Sequence, residues 1–238
     1  MREQANDRFT QECLEAAHRI RRELVADRRR LHRFPEVGDH LPRTTRYVSD
    51  RLIQIGLTPV ECGPCGLVTT VVGGLPGRTV LLRADMDALP MREQSGLSFT
   101  SRTSAAHTCG HDLHTAMLLG AARLLTERKE SLAGMVKLVF QPDEEGLTGA
   151  GKMLAAGVME SPHVEAALGL HVLAGDLEAG VIGVGTGVVM ASSDRFRIKI
   201  GGKGGHGIAK PAQRAADRWP DHEPDAKGRA DHPQAAGA

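Results

Sequence analysis

Between His107 and His114 the chain sets three histidines, one cysteine and one aspartate within eight residues. Imidazole nitrogens and a thiolate suit a borderline-soft divalent ion such as zinc, and a carboxylate completes such a set. Gly110, between Cys109 and His111, lets the backbone turn so that the flanking side chains can converge. Acidic groups recur at the ends of two apolar runs. Residues 80–84 lead into Asp85, Met86 and Asp87, and residues 135–140 lead into Gln141, Pro142, Asp143, Glu144 and Glu145. Three consecutive carboxylates repel one another unless positive charge lies close; a metal ion would supply it, the other reading being an exposed acidic turn. A third run, 166–170, ends at His171. Alone, such a histidine reads as a hydrogen-bonding residue; as the fourth polar site at the edge of one unit, it joins the candidate ligands.

The elements that must hold these groups follow from hydrophobic spacing. Leu14, Ala17, Ile20, Leu24 and Leu31 recur at helical intervals and predict a helix over 11–33. A second helix, 43–55, carries Val48, Leu52 and Ile55 and stops at Gly56. Strand-like runs come next at 57–61, 67–72 and 79–83, with 73–77 (Gly, Gly, Leu, Pro, Gly) reading as a turn. A helix over 111–127 is expected to bury Leu113, Met117, Leu118, Ala121, Ala122 and Leu125, with Asp112 in its first turn. Strand 135–140, helix 150–157 and a buried strand over 166–172 complete the set. This order predicts an α/β domain, a mixed sheet flanked by helices, whose strand ends are where such sheets place chemistry. Beyond Gly180 the pattern becomes Gly-rich, residues 194–200 alternate apolar with charged, and a glycine loop over 201–207 presents His206. Residues 212–238 are rich in Pro, Asp, Arg and Ala and read as a disordered or out-of-frame tail.

Composition sets limits. Aromatic residues make up 3% of the chain, so the core is aliphatic, and the net charge of +1 gives no argument for nucleic acid or an anionic membrane. The arginines between 19 and 33 alternate with Glu23, Leu24 and Val25, as on the wet face of a helix. No apolar run of about 18 residues occurs and the N-terminus has no signal-peptide segment, which makes the cytoplasm the expected compartment. The four cysteines do not form a disulfide framework. Cys62-Gly-Pro-Cys65 has the spacing of a thiol-exchange motif, but the β-like run that follows takes the place of the helix such a motif needs.

Five motifs stand in order: Ala84-Asp-Met-Asp-Ala-Leu-Pro90, His107-Thr-Cys-Gly-His-Asp112, Phe140-Gln-Pro-Asp-Glu-Glu-Gly146, Leu170-His-Val172 and Gly202-Lys-Gly-Gly-His-Gly207. Together they resemble the metal-dependent amidohydrolase and carboxypeptidase family that includes hippurate hydrolase, N-acyl-amino-acid amidohydrolases and plant auxin-conjugate hydrolases. Leu31-His-Arg-Phe-Pro-Glu36 is similar to that family's N-terminal signature. The resemblance implies a zinc-peptidase-like catalytic domain, here over 11–185, interrupted by a small α+β dimerisation domain that begins over 186–211. It implies metal ligation by Cys109, His111, Glu145 and His171, with Glu144 as general base. Asp87 would orient a ligand, and His206 would stabilise the oxyanion from the small domain. The implied cofactor is a divalent metal, two ions per site, as zinc, manganese, cobalt or nickel. The implied substrate is a small N-acyl amino acid, and the complete protein is expected to be a homodimer or homotetramer.

Family members run on for more than another hundred residues and supply a last histidine ligand, whereas the similarity here stops near Pro211. The sequence therefore carries two expectations: an amide-hydrolysing enzyme, or a shortened, catalytically weak chain that binds metal or oligomerises. In either case the sheet is expected to expose an apolar edge.

Overall fold

The computed structural model describes residues 2–173, 175, 178–188 and 198. Two compact units divide between Asp176 and Leu177. The second contains no helix or strand among its described residues. The alternating run 194–200 (save Ile198), the loop carrying His206 and the tail 212–238 lie outside the described residues, as does most of the expected start of a small domain over 186–211.

The first unit runs α1 (Arg2–Arg33), α2 (Pro42–Gln54), β1 (Val60–Glu61), β2 (Leu67–Val72), β3 (Leu75–Asp85), α3 (His111–Glu127), β4 (Ala133–Gln141), α4 (Gly149–Ala155) and β5 (Ala166–Gly169). The sheet order is β1-β2-β4-β3-β5. β1 and β2 are antiparallel to their neighbours, whereas β4, β3 and β5 run parallel. The sheet is mixed, as the sequence implied, and no helix among the described residues is long and apolar enough to cross a membrane.

Two aliphatic cores cover its faces. Leu41, Val48 and Leu52 from the α2 region meet Leu118, Leu119 and Ala122 of α3 over Val71, Leu138 and Phe140. On the other face Val68, Leu81 and Val139 meet Met153 of α4, Val158 and Val164. Alternation along β4 sends Val136, Leu138 and Phe140 to the first core and Lys137 and Val139 to the second. Lys137 is buried, and its ammonium donates to the carbonyls of Val158 (2.8 Å), Glu160 (2.6 Å) and Pro162 (2.9 Å). Three carbonyls match the three N–H donors of a lysine, so this buried charge is satisfied by backbone alone. Burial nevertheless holds its pKa below the ordinary lysine value.

Three expectations are corrected. The turn at 73–77 is confined to Gly73 and Gly74, because Leu75 already belongs to β3, pairing with Ala133. The glycines serve close backbone approach instead: a Cβ on Gly73 would lie 2.2 Å from the Leu132 carbonyl. In α3, Leu113 and Met117 are exposed, and the buried face of the first turns carries His111, Asp112, His114 and Thr115. Polar side chains take the inward face there because each finds a partner, as shown below. Finally, the strand predicted as buried over 166–172 is exposed: Leu168 is 63% and Leu170 62% exposed, since among the described residues β5 ends the sheet, with β3 as its neighbour. The apolar edge itself was anticipated.

The cysteine pair does not act as a unit. Cys65 accepts a hydrogen bond from the Leu41 N–H (3.3 Å) and packs on the first core, while Cys62 lies against the Met153 carbonyl (3.7 Å) and packs on the second. Burial raises the Cys62 pKa, the reverse of an activated thiol.

Candidate metal centre

Because β4, β3 and β5 are parallel and adjacent, their C-terminal ends meet at one edge of the sheet. The register sets Asp85 beside Gln141 and Arg83 beside Gly169, so the segments holding Asp87, Glu144, Glu145 and His171 all leave this edge. α3 begins at the same edge with His111 as its first residue. Gly110, which precedes it, has φ of 87°, a left-handed conformation that costs glycine nothing.

His111 is the centre. Its Nδ1 donates to the Asp87 carbonyl at 2.8 Å, which leaves Nε2 buried without a hydrogen-bond partner. That nitrogen faces Asp85 Oδ2 at 3.7 Å, Glu144 Oε2 at 3.9 Å and Glu145 Oε1 at 3.9 Å. These separations are too long for hydrogen bonds. They approach the roughly 3.3–3.5 Å that ligands of one ion with bonds of about 2.0–2.2 Å keep from each other. Cys109 and His171 close another side, with Sγ and Nε2 3.4 Å apart. His171 Nδ1 donates to the Val172 carbonyl at 2.7 Å, so its Nε2 lone pair is the one that faces the thiol. Among the described residues three triads thus overlap at His111, namely Cys109, His111 and His171; His111, Glu144 and Glu145; and Asp85, His111 and His114, with the ligand atoms of each within 4.8 Å of one another.

The electrostatics of these groups suit a positive charge. Burial and the Glu145 carboxylate push the Cys109 thiol up to about 12, and burial lifts the Glu144 carboxyl above its ordinary value. Burial disfavours charge on His111, yet Asp87 and Asp85 outweigh it and raise its imidazole. A divalent cation among these groups would stabilise both thiolate and carboxylates. The residues present fit such an ion: one buried orphan nitrogen, a thiol, a second imidazole and several carboxylate oxygens converge without other partners competing for His111 Nε2.

Asp87 does more than the sequence suggested. Its fully buried carboxylate accepts the backbone N–H groups of Glu144 (3.0 Å) and Glu145 (3.1 Å), and it is its carbonyl, not its carboxylate, that takes the closer contact to His111. One residue therefore fixes the directions of three others.

Several supporting residues escaped sequence reasoning. His32 bridges Asp112 (2.7 Å) and Glu93 (3.0 Å), and Arg28 also reaches Asp112 (2.8 Å), which ties α1 and the loop after β3 to the start of α3. The hydrogen bond to Asp112 holds the His32 imidazole above its ordinary value. The third histidine of the opening cluster, His107, is buried, and burial pushes it down to about 4. Asp85 and His114 form a further buried pair at 2.6 Å. Spacing could flag Asp85 and His114 as candidates, but nothing in the sequence pairs them with each other, or His32 with Asp112. His206 lies outside the described residues.

Comparison with known proteins shows the family and the fold. The profile of peptidase family M20/M25/M40 matches residues 81–233. The chain is 44% identical over 193 residues to a Saccharolobus solfataricus protein named thermostable carboxypeptidase 1, covering 78% of this chain and 48% of that one. It is 40% identical over 197 residues to a Geobacillus stearothermophilus protein named N-acyl-L-amino acid amidohydrolase, covering 82% of this chain and 52% of that one. Among solved structures, a Bacillus subtilis protein described as a dinuclear metal-binding peptidase from the M20 family is similar with a TM-score of 0.70 at 39% identity. That likeness covers 74% of this chain and 49% of the other. The chain spans about half the length of the curated relatives it matches.

Proposed function

From the premise that this chain belongs to peptidase family M20/M25/M40, we propose that the protein is a metal-dependent hydrolase of the amide bond in small N-acyl amino acids. The observation that carries the reading is the buried, unpartnered Nε2 of His111 facing three carboxylate oxygens beside Cys109 and His171. Cys109, His111, Glu145 and His171 would hold the divalent metal, in a site of two ions drawn from zinc, manganese, cobalt or nickel. The relative named N-acyl-L-amino acid amidohydrolase supports the substrate class.

A divalent ion supplies Lewis acidity, which makes water more acidic and polarises an amide carbonyl. The chain's own residues supply the rest. Glu144, with a side chain one-third exposed, faces both solvent and the cluster, so it can take a proton from an attacking water and return it to the leaving amine. Asp87 holds the Glu144 and Glu145 backbone so that neighbouring side chains can divide the roles of base and ligand. His206 is proposed to stabilise the oxyanion, and the complete protein to assemble as a homodimer or homotetramer acting in the cytoplasm.

The test is hydrolysis of N-acetyl amino acids before and after removal of metal by a chelator. Turnover should vanish on chelation and return with added zinc, manganese or cobalt. Hydrolysis that survives complete metal removal contradicts the reading.

The alternative is a chain that binds metal without turning over. The observation on its side is that His171 follows an exposed strand, with Leu168 and Leu170 open beside it. Metal binding without hydrolysis in the same assay is its signature.

A further inference from the structure

The segment that carries His171 is weakly held by its own strand. β5 is a four-residue edge strand, its residues are exposed, and Leu170 and Leu173 on either side of the His171–Val172 pair are 62% and 65% exposed. Burial does not fix His171 beside Cys109. Among the described residues, two contacts of the adjoining Val172 hold the segment. Val172 donates its backbone N–H to Nε2 of His114 at 2.9 Å. The Val172 side chain rests on Gly110, where an added Cβ would come within 2.3 Å of its Cγ2.

His114 is itself locked. Since its Nε2 accepts from Val172, the ring proton sits on Nδ1, which donates to Asp85 Oδ1 at 2.6 Å. The other Asp85 oxygen takes Arg83 Nη1 at 2.8 Å, the Arg83 Nε donates to Gln141 at 2.9 Å, and the Asp85 carbonyl accepts the Thr115 hydroxyl at 2.9 Å. His114 and Asp85 are both buried, whereas Leu170 and Leu173 around His171 are exposed. This chain of bonds also removes His114 as a ligand: although Asp85, His111 and His114 converge closely enough to hold an ion, neither ring nitrogen of His114 is free.

The geometry points to His114 as a positioning residue: held by Asp85, it seats the Val172 N–H and so keeps His171 at the metal centre. This rests on the metal-centre reading above and goes beyond it by assigning a role to a histidine that is not a ligand. Residues that orient metal ligands typically contribute 10- to 100-fold in affinity.

The experiment is titration of the metal-depleted full chain with Co²⁺, following both the binding isotherm and the visible spectrum. The proteins are the unmodified chain, His114→Ala, His114→Gln, His171→Ala and the His114→Ala/His171→Ala double variant. Glutamine retains an acceptor for Val172 and a donor for Asp85. His114→Ala should lower affinity by about 10- to 100-fold and shift the visible bands toward those of His171→Ala, while keeping the thiolate-to-cobalt absorption that reports Cys109. His114→Gln should recover most of the affinity. The double variant should bind no more weakly than His171→Ala, because His114 acts through His171. Additive losses in the double variant, or His114→Ala binding like the unmodified chain, overturn the assignment while leaving the metal centre intact. Failure of the unmodified chain to bind Co²⁺ overturns the metal centre and this assignment with it.

Discussion

Glu144→Gln is expected to slow amide hydrolysis by about 10³-fold, near the middle of the range for loss of a general base, with the metal content unchanged. Glutamine has nearly the size of glutamate and keeps an acceptor oxygen, but it cannot take up the proton of an attacking water. The backbone of residue 144 donates to Asp87 at 3.0 Å whatever the side chain, so the loop and the neighbouring Glu145 should hold their places. The separation of effects is what makes the variant informative. If Glu144 is the base, kcat falls and metal stays; if it is instead a required ligand, metal falls as well. Steady-state kinetics on an N-acetyl amino acid, with elemental analysis of the same preparations, reads both. A kcat within a few-fold of the unmodified protein removes Glu144 from the role of base.

Asp87→Ala is expected to damage the fold and the centre together. Its carboxylate accepts two backbone N–H groups and is fully buried, so truncation leaves both donors without a partner. Hydrogen bonds to a charged group contribute about 1.5–3 kcal/mol each, which gives a loss of roughly 3 kcal/mol or more in folding stability. Metal affinity should drop with it by at least about 10-fold, because Glu144 and Glu145 lose the anchor that aims them. Asp87→Asn should not rescue the site, since its amide N–H₂ would face one of the two N–H donors. Urea unfolding of metal-free protein separates the two effects: an unfolding midpoint equal to that of the unmodified chain would contradict the anchoring role.

What could be read from the sequence was local. Cys109, Gly110 and His111 are contiguous with the start of α3, and Glu144 and Glu145 follow β4 after Pro142 and Asp143, so each motif announced its place in the fold. The α/β order of elements was equally plain from hydrophobic period. What could not be read depends on which strands become neighbours. Asp85 meets His114, and the α1 residue His32 meets Asp112, through contacts between segments far apart in the chain. Lys137 interrupts an apolar strand and looks exposed on paper, yet three carbonyls of a later loop make it a buried residue. The phase of α3 misled for a related reason. Leu113 and Met117 advertise an apolar face, but the inward face of the first turn belongs to polar groups whose partners lie on other elements. β5 read as buried from composition alone, since its exposure is a property of its position at the sheet edge.

The centre stands or falls on whether these side chains hold an ion. The direct measurement is metal content by elemental analysis, after exhaustive dialysis against metal-free buffer, of the unmodified chain and of His111→Ala and Cys109→Ser variants. About one to two divalent ions per chain are expected in the unmodified protein, falling to near zero in His111→Ala and to a reduced, more readily chelated amount in Cys109→Ser. Equal metal content in all three proteins, or none in the unmodified chain after growth and purification with zinc, manganese or cobalt supplied, would contradict the account.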